Sequence, residues 1–99
     1  MTPRLVFREQ ARAELLAARD WYEERAPGLG LEFVRAVDAA LDLITRMPEG
    51  FTALSGTVRH AVLRRFPYSI LFAYDTDQVI VLAIHHHRQK PTRWQDNPG

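Results

Sequence analysis

Cysteine is missing from all 99 residues, which rules out a disulfide framework and thiolate catalysis and agrees with a reducing compartment. Long hydrophobic runs are missing as well. The longest, residues 79–84 (VIVLAI), is six residues, far short of the roughly 20 that carry a helix across a bilayer. The first eight residues lack the charged-then-apolar plan of a secretory leader, so the expectation is a soluble cytoplasmic protein with no membrane partner. No glycine-rich loop has phosphate-cradling spacing, and Asp75 and Asp77 belong to a turn rather than to an acid pair beside the basic residues. Net charge is close to zero, at +1. It is unevenly spread: up to Thr57 there are seven Lys/Arg against nine Asp/Glu, and beyond it six against three. The second half therefore leans toward an anionic partner, nucleic acid or an acidic protein surface.

What is present is an ordinary globular composition, 46% apolar and 25% charged, in a length that suits one domain over residues 1–99, with a tail beyond Trp94. Residues 4–7 read as a short first strand at a sheet edge. Over residues 9–25, Ala11, Leu15, Ala18 and Tyr22 recur every three to four positions and form one helical face, with Trp21 at its margin as a core-edge aromatic. Pro27, Gly28 and Gly30 interrupt that pattern, and a second helix is expected over 31–46, with Phe33, Val34, Val37, Leu41 and Ile44 inward. Residues 51–57 read as a loop. Three strands follow, 58–65, 68–74 and 79–86, separated by Phe66-Pro67 and by the polar turn 75–78. The stretch 79–84 reads as a strand buried on both faces. The expected architecture is α+β: a short N-terminal strand, then an antiparallel two-helix hairpin packed on a mainly antiparallel sheet that a C-terminal three-stranded meander completes.

In this order of elements, particular residues carry a resemblance. They are Ala11 and Leu15 with Trp21-Tyr22, Pro27-Gly28-Leu29-Gly30 before Phe33, and Ile44 with Pro48. Arg65-Phe66-Pro67-Tyr68 follows with Ile70 and Tyr74, and Val81-Leu82-Ala83 leads to His85, Arg88, Pro91 and Trp94. Together they resemble the ParE/RelE superfamily of bacterial type II toxins, and more closely its ParE-like members. The resemblance implies a small toxin, held silent by a cognate antitoxin and forming a homodimer or a toxin–antitoxin hetero-oligomer. ParE-like members are associated with poisoning DNA gyrase, whereas RelE-like members resemble ribosome-dependent endonucleases that cut mRNA.

Metal-free RNA cleavage needs a base for the 2′-hydroxyl, cations for the phosphate and an acid for the leaving oxygen. RelE-like enzymes meet this with lysines and arginines on the sheet and a C-terminal tyrosine. Here the matching positions hold His60, Val62, Ser69 and Trp94, and only Arg88 is kept. The leading expectation is a ParE-like gyrase inhibitor. The alternatives are an endoribonuclease using Arg88 with His85 or His60 as catalytic residues, and an inactive scaffold that only binds its partner. Candidate target-binding residues are Arg59, Arg65, Arg88, Lys90, Arg93 and Trp94, with Arg64 part of the same basic set. A zinc site would need His60 with His85 and His87, because strand alternation sends His86 to the other face, so neither a metal nor any other cofactor is expected.

Overall fold

The computed structural model describes residues 2–89 of the chain. Four extended residues, Arg4–Phe7, form β1, and the helix formers behind them fold as α1, Glu9–Arg25. α2 is Leu29–Arg46, closed by a short 3-10 turn at Pro48–Gly50. The remaining strands are β2 (Ala53–Ser55), β3 (Val58–Val62), β4 (Tyr68–Asp75) and β5 (Gln78–His86). They make one five-stranded sheet in the order β1-β5-β4-β3-β2. β1 pairs with β5 in parallel and every other pairing is antiparallel. A parallel neighbour demands a long crossover, and the helical hairpin begins that return.

The core lies between the hairpin and one face of the sheet. Ala11 and Ala18 of α1, Phe33, Val37, Leu41 and Ile44 of α2, and Ile70, Phe72, Val79, Val81 and Ile84 of the sheet share it. Burying each large side chain in such a cluster contributes about 1.5–3 kcal/mol. β5 departs from simple alternation. Leu71 faces Ala83 while Phe72 faces Val81, so Leu82 is an extra residue in the ladder. This bulge lets Val81 and Ile84 both reach the core. The expectation that residues 79–84 are buried on both faces is corrected: Ile80 and Leu82 are only half-buried.

Three boundaries differ from the sequence reading, each for a physical reason. α2 starts two residues early because Gly28 alone makes the reversal, at φ 89°. The Glu23 carboxylate accepts bonds from the Gly28 N–H (2.9 Å) and the Gly30 N–H (3.0 Å), capping the helix start from its neighbour. The segment 51–57 contains β2, a three-residue exposed edge strand with an irregular register against β3. No apolar alternation marks so short a strand. β3 ends at Val62 rather than residue 65, and the chain then folds inward to bury Leu63 and Phe66. Proline at 67 offers no N–H to extend a ladder there.

Gly30 has a different task from Gly28. A Cβ at position 30 would lie 2.6 Å from the Arg19 carbonyl oxygen, so glycine is what allows α1 and α2 to approach this closely. Gly30→Ala is expected to cost about 1–3 kcal/mol in urea unfolding through overpacking. Gly50→Ala, whose Cβ would sit 3.8 Å from its nearest neighbour, should change stability far less.

A groove between the first helix and the exit of the last strand

The first helix presents Glu14, Ala17, Ala18, Trp21 and Tyr22 toward the point where β5 leaves the sheet. Their spacing of one, three and four residues places them along one side of α1. Two alanines fill little space, so the helix and the sheet do not close on each other. The groove between them has a volume of about 850 Å³, and Pro67, Tyr68, Ile84, His86 and the turn His87-Arg88-Gln89 form its other wall.

An unusual sheet edge borders this groove. β1 runs out at Phe7, and the Arg8 N–H makes a last bond to the Val81 carbonyl. Farther along β5 side chains take over from a neighbouring strand. The Ile84 N–H donates to Glu14 Oε1 at 2.9 Å, and the His86 N–H donates to Gln89 Oε1 at 3.1 Å. Glu14 Oε2 in turn accepts from Gln10 Nε2 at 3.2 Å. The turn after β5 is closed by three bonds centred on His86, since the Gln89 N–H donates to its carbonyl and the Arg88 N–H donates to its Nδ1 at 3.0 Å. An amide N–H can only donate, so Nδ1 must accept and the proton of the neutral ring sits on Nε2.

Aromatic rings make the groove's floor. Tyr22 meets Phe33, Phe66 and Tyr68 at centroid distances of 5.3, 5.0 and 6.3 Å, and the His86 ring stands edge-on to Tyr68 at 4.8 Å. Trp21 is not the core-edge residue expected. It is 50% exposed, braced edge-on against Tyr22, with the Arg25 guanidinium 3.6 Å above its ring. Burial raises the Tyr22 and Tyr68 phenols above their ordinary range, and for Tyr68 the neighbouring Tyr22 and Glu14 charges add to the effect.

The candidate site residues do not gather in one place. His60 pairs with Leu71 and His85 with Ser69, on the sheet face turned away from the helices, while the His86 ring lies in the groove. His87 bonds the buried Ser69 hydroxyl through Nε2 at 3.0 Å. Arg59 is anchored on the Phe51 carbonyl at 2.7 Å, and Arg65 reaches across to Glu32 of α2 at 2.6 Å. Of the candidate arginines on the described residues, only Arg88 lines the groove. Lys90, Arg93 and Trp94 lie outside the described residues. Among the described residues, no group of three or more His, Cys, Asp or Glu side chains is placed to hold a metal ion. The sequence reading missed Glu14, Trp21, Tyr68 and His86 as groove residues. Only the Trp21-Tyr22 pair was a usable signal, because Glu14 matters through a backbone bond 70 residues away.

Two consequences are measurable. Glu14→Ala strands the Ile84 N–H and should cost about 1–3 kcal/mol, with loss of exchange protection at that amide, whereas Glu14→Gln keeps an acceptor and should retain both. The raised phenols carry the other. Below the ordinary tyrosine range both states are protonated and the folded state is at full advantage. Above pH 10 the unfolded chain loses protons that the fold retains, so stability falls as pH rises through the folded values. Melting curves from pH 8 to 11 should show that decline, and Tyr68→Phe should shallow it.

A family model for the ParE toxin of the type II toxin–antitoxin system parDE matches residues 5–91. No curated protein gives a significant match. Among solved structures, the chromosomal ParDE toxin–antitoxin system from P. aeruginosa superposes with a TM-score of 0.75 at 21% identity, covering 86% of this chain and 96% of that one. The toxin–antitoxin complex RelBE2 from Mycobacterium tuberculosis does so with a TM-score of 0.58 at 20% identity, covering 87% and 99%. These two likenesses are of fold, and they match the α+β arrangement expected from the sequence. With the family match running from β1 through the turn that closes the groove, the chain belongs to the ParE toxin family of type II toxin–antitoxin systems.

Proposed function

We propose that this ParE-family chain arrests growth by binding and inhibiting DNA gyrase in the cytoplasm, and that a cognate antitoxin neutralises it. The observation that carries the choice of target is the chemistry of the outer sheet face. Val62, 58% exposed, pairs there with Ser69, whose hydroxyl is engaged by His87. RNA-cutting relatives are expected to carry lysine and arginine at these two positions, and a valine methyl group or a tied hydroxyl supplies neither the charge nor the proton transfer that phosphodiester cleavage needs. An inhibitor that acts by occupying a protein surface has no such requirement.

The groove supports the antitoxin half of the reading. It is open and mostly apolar, the kind of surface into which an amphipathic segment lays its hydrophobic side. The structural relatives in P. aeruginosa and M. tuberculosis are described as toxin–antitoxin systems, which supports the reading of the groove as the surface for such a partner.

A supercoiling assay with purified gyrase tests the target. Relaxed plasmid should remain unconverted as the toxin is titrated in. Full supercoiling at every toxin concentration, together with new mRNA 5′ ends by primer extension in induced cells, would move the assignment to an endoribonuclease.

A further inference from the structure

One ring holds the turn that carries Arg88. β5 ends at His86, whose Nδ1 accepts from the Arg88 N–H at 3.0 Å, while the His86 N–H and carbonyl engage the side chain and the backbone N–H of Gln89. The bond to Nδ1 lasts only while that nitrogen keeps its lone pair. An imidazolium donates from both nitrogens and accepts at neither, so a proton on Nδ1 would set two donors against each other 3.0 Å apart. Imidazole is the side chain that changes charge between about pH 5 and pH 8. The next residue is anchored in a way that does not depend on charge. The His87 N–H donates to the Pro67 carbonyl at 2.9 Å, and His87 Nε2 meets the Ser69 hydroxyl. A hydroxyl can accept as well as donate, so that bond survives protonation of His87.

We infer that His86 is a pH-sensitive latch on the segment that begins at Arg88. The neutral ring closes the turn, and protonation frees Arg88 and Gln89 while β5 and His87 stay in place. The charged and titratable groups that line the groove with this ring are Glu14 and Tyr22 of α1, Tyr68 of β4, and His87 and Arg88 of the turn. Both phenols stay neutral where imidazole titrates, since burial raises them above an ordinary range that is already higher. Arg88 is exposed and makes no ion pair among the described residues, so a charged His86 ring meets a like charge in the turn. Glu14 is the only carboxylate among the described lining residues, and it attracts the charged ring toward α1. Repulsion on one side and attraction on the other both act to open the turn. The latch requires neither gyrase nor an antitoxin, yet what it controls is Arg88, a candidate target-binding residue.

Nuclear magnetic resonance on the full chain tests the latch. At about pH 7.5 the ring nitrogen shifts of His86 should show a bare Nδ1 and a protonated Nε2. Between about pH 7.5 and pH 5 the Arg88 amide, its exchange corrected for the intrinsic effect of pH, should lose about 5-fold in protection, as expected for one hydrogen bond. That loss should follow the titration of the His86 ring, and the His87 amide should keep its protection. His86→Asn offers a neutral acceptor to the N–H two residues on, as in an Asx turn, and should hold Arg88 equally well at both pH values. His86→Phe keeps a ring beside Tyr68 without an acceptor, and its Arg88 amide at about pH 7.5 should exchange like that of the wild type at about pH 5. A His86 ring that stays neutral down to about pH 5, or one that carries its proton on Nδ1 at about pH 7.5, would overturn the inference. So would Arg88 protection that ignores the ring's titration, or a loss of the wild-type size in His86→Asn. If His86→Phe lowers the melting temperature, the wild type and His86→Asn decide between them.

Discussion

Four aromatic rings hold the two layers of this protein together. Phe33, fully buried, packs on Tyr22, Phe66 and Tyr68 at 5.1–5.3 Å, and these rings come from α2, α1, the β3–β4 connection and β4. No two of the four belong to the same element, so the cluster fixes the helical hairpin against the sheet in a way that backbone bonds cannot. The edge-to-face pairs among them, Phe33 with Phe66 and with Tyr68, add about 0.5–1.5 kcal/mol each beyond burial. Both tyrosines also border the groove, so the rings that set the spacing of the layers set the shape of the groove too. Phe66 owes its position to the inward fold of residues 63–66, which is why β3 stops short of Pro67.

The groove follows from two further constraints. β1 is only four residues long, so β5 outlasts its parallel partner, and its remaining amides are met by Glu14 and Gln89 side chains. An edge with its amides satisfied locally is less open to strand addition by stray chains, while the space beside it stays available to side chains of a partner. The bulge at Leu82 turns Ile84 inward, which puts the next alternate residue, His86, on the groove side rather than with His60. One extra residue in a strand thereby decides which histidine lines the groove.

Much of the fold was readable from periodicity. The helical spacing of Ala11 and Ala18, two turns apart, and of Phe33, Val37, Leu41 and Ile44, three to four apart, marks the core side of both helices, and all six are buried. Turn chemistry located the β4–β5 hairpin and the helix reversal. What could not be read depended on contacts distant in sequence. Gly30 looked like a turn residue because its reason for being glycine is the Arg19 backbone across the helix pair. β2 exists through pairing with β3 and has no pattern of its own. Simple alternation sorted His85 from His86 correctly but gave no hint that the bulge, Glu14 and the His86-centred turn would build a wall. The basic residues looked like one cluster in the sequence, yet Arg59 and Arg65 are spent on the Phe51 carbonyl and on Glu32 at separate places.

The central claim is that the groove on a ParE-family toxin is where its neutralising partner acts. Growth of cells expressing the chain, with and without the antitoxin gene from the same operon, tests it most directly when wild type and Trp21→Ala are run side by side. The account predicts that both forms arrest growth alone and that the antitoxin restores growth to the wild type much more fully than to Trp21→Ala. Equal rescue of the two forms, or normal growth when the wild type is expressed alone, would contradict it.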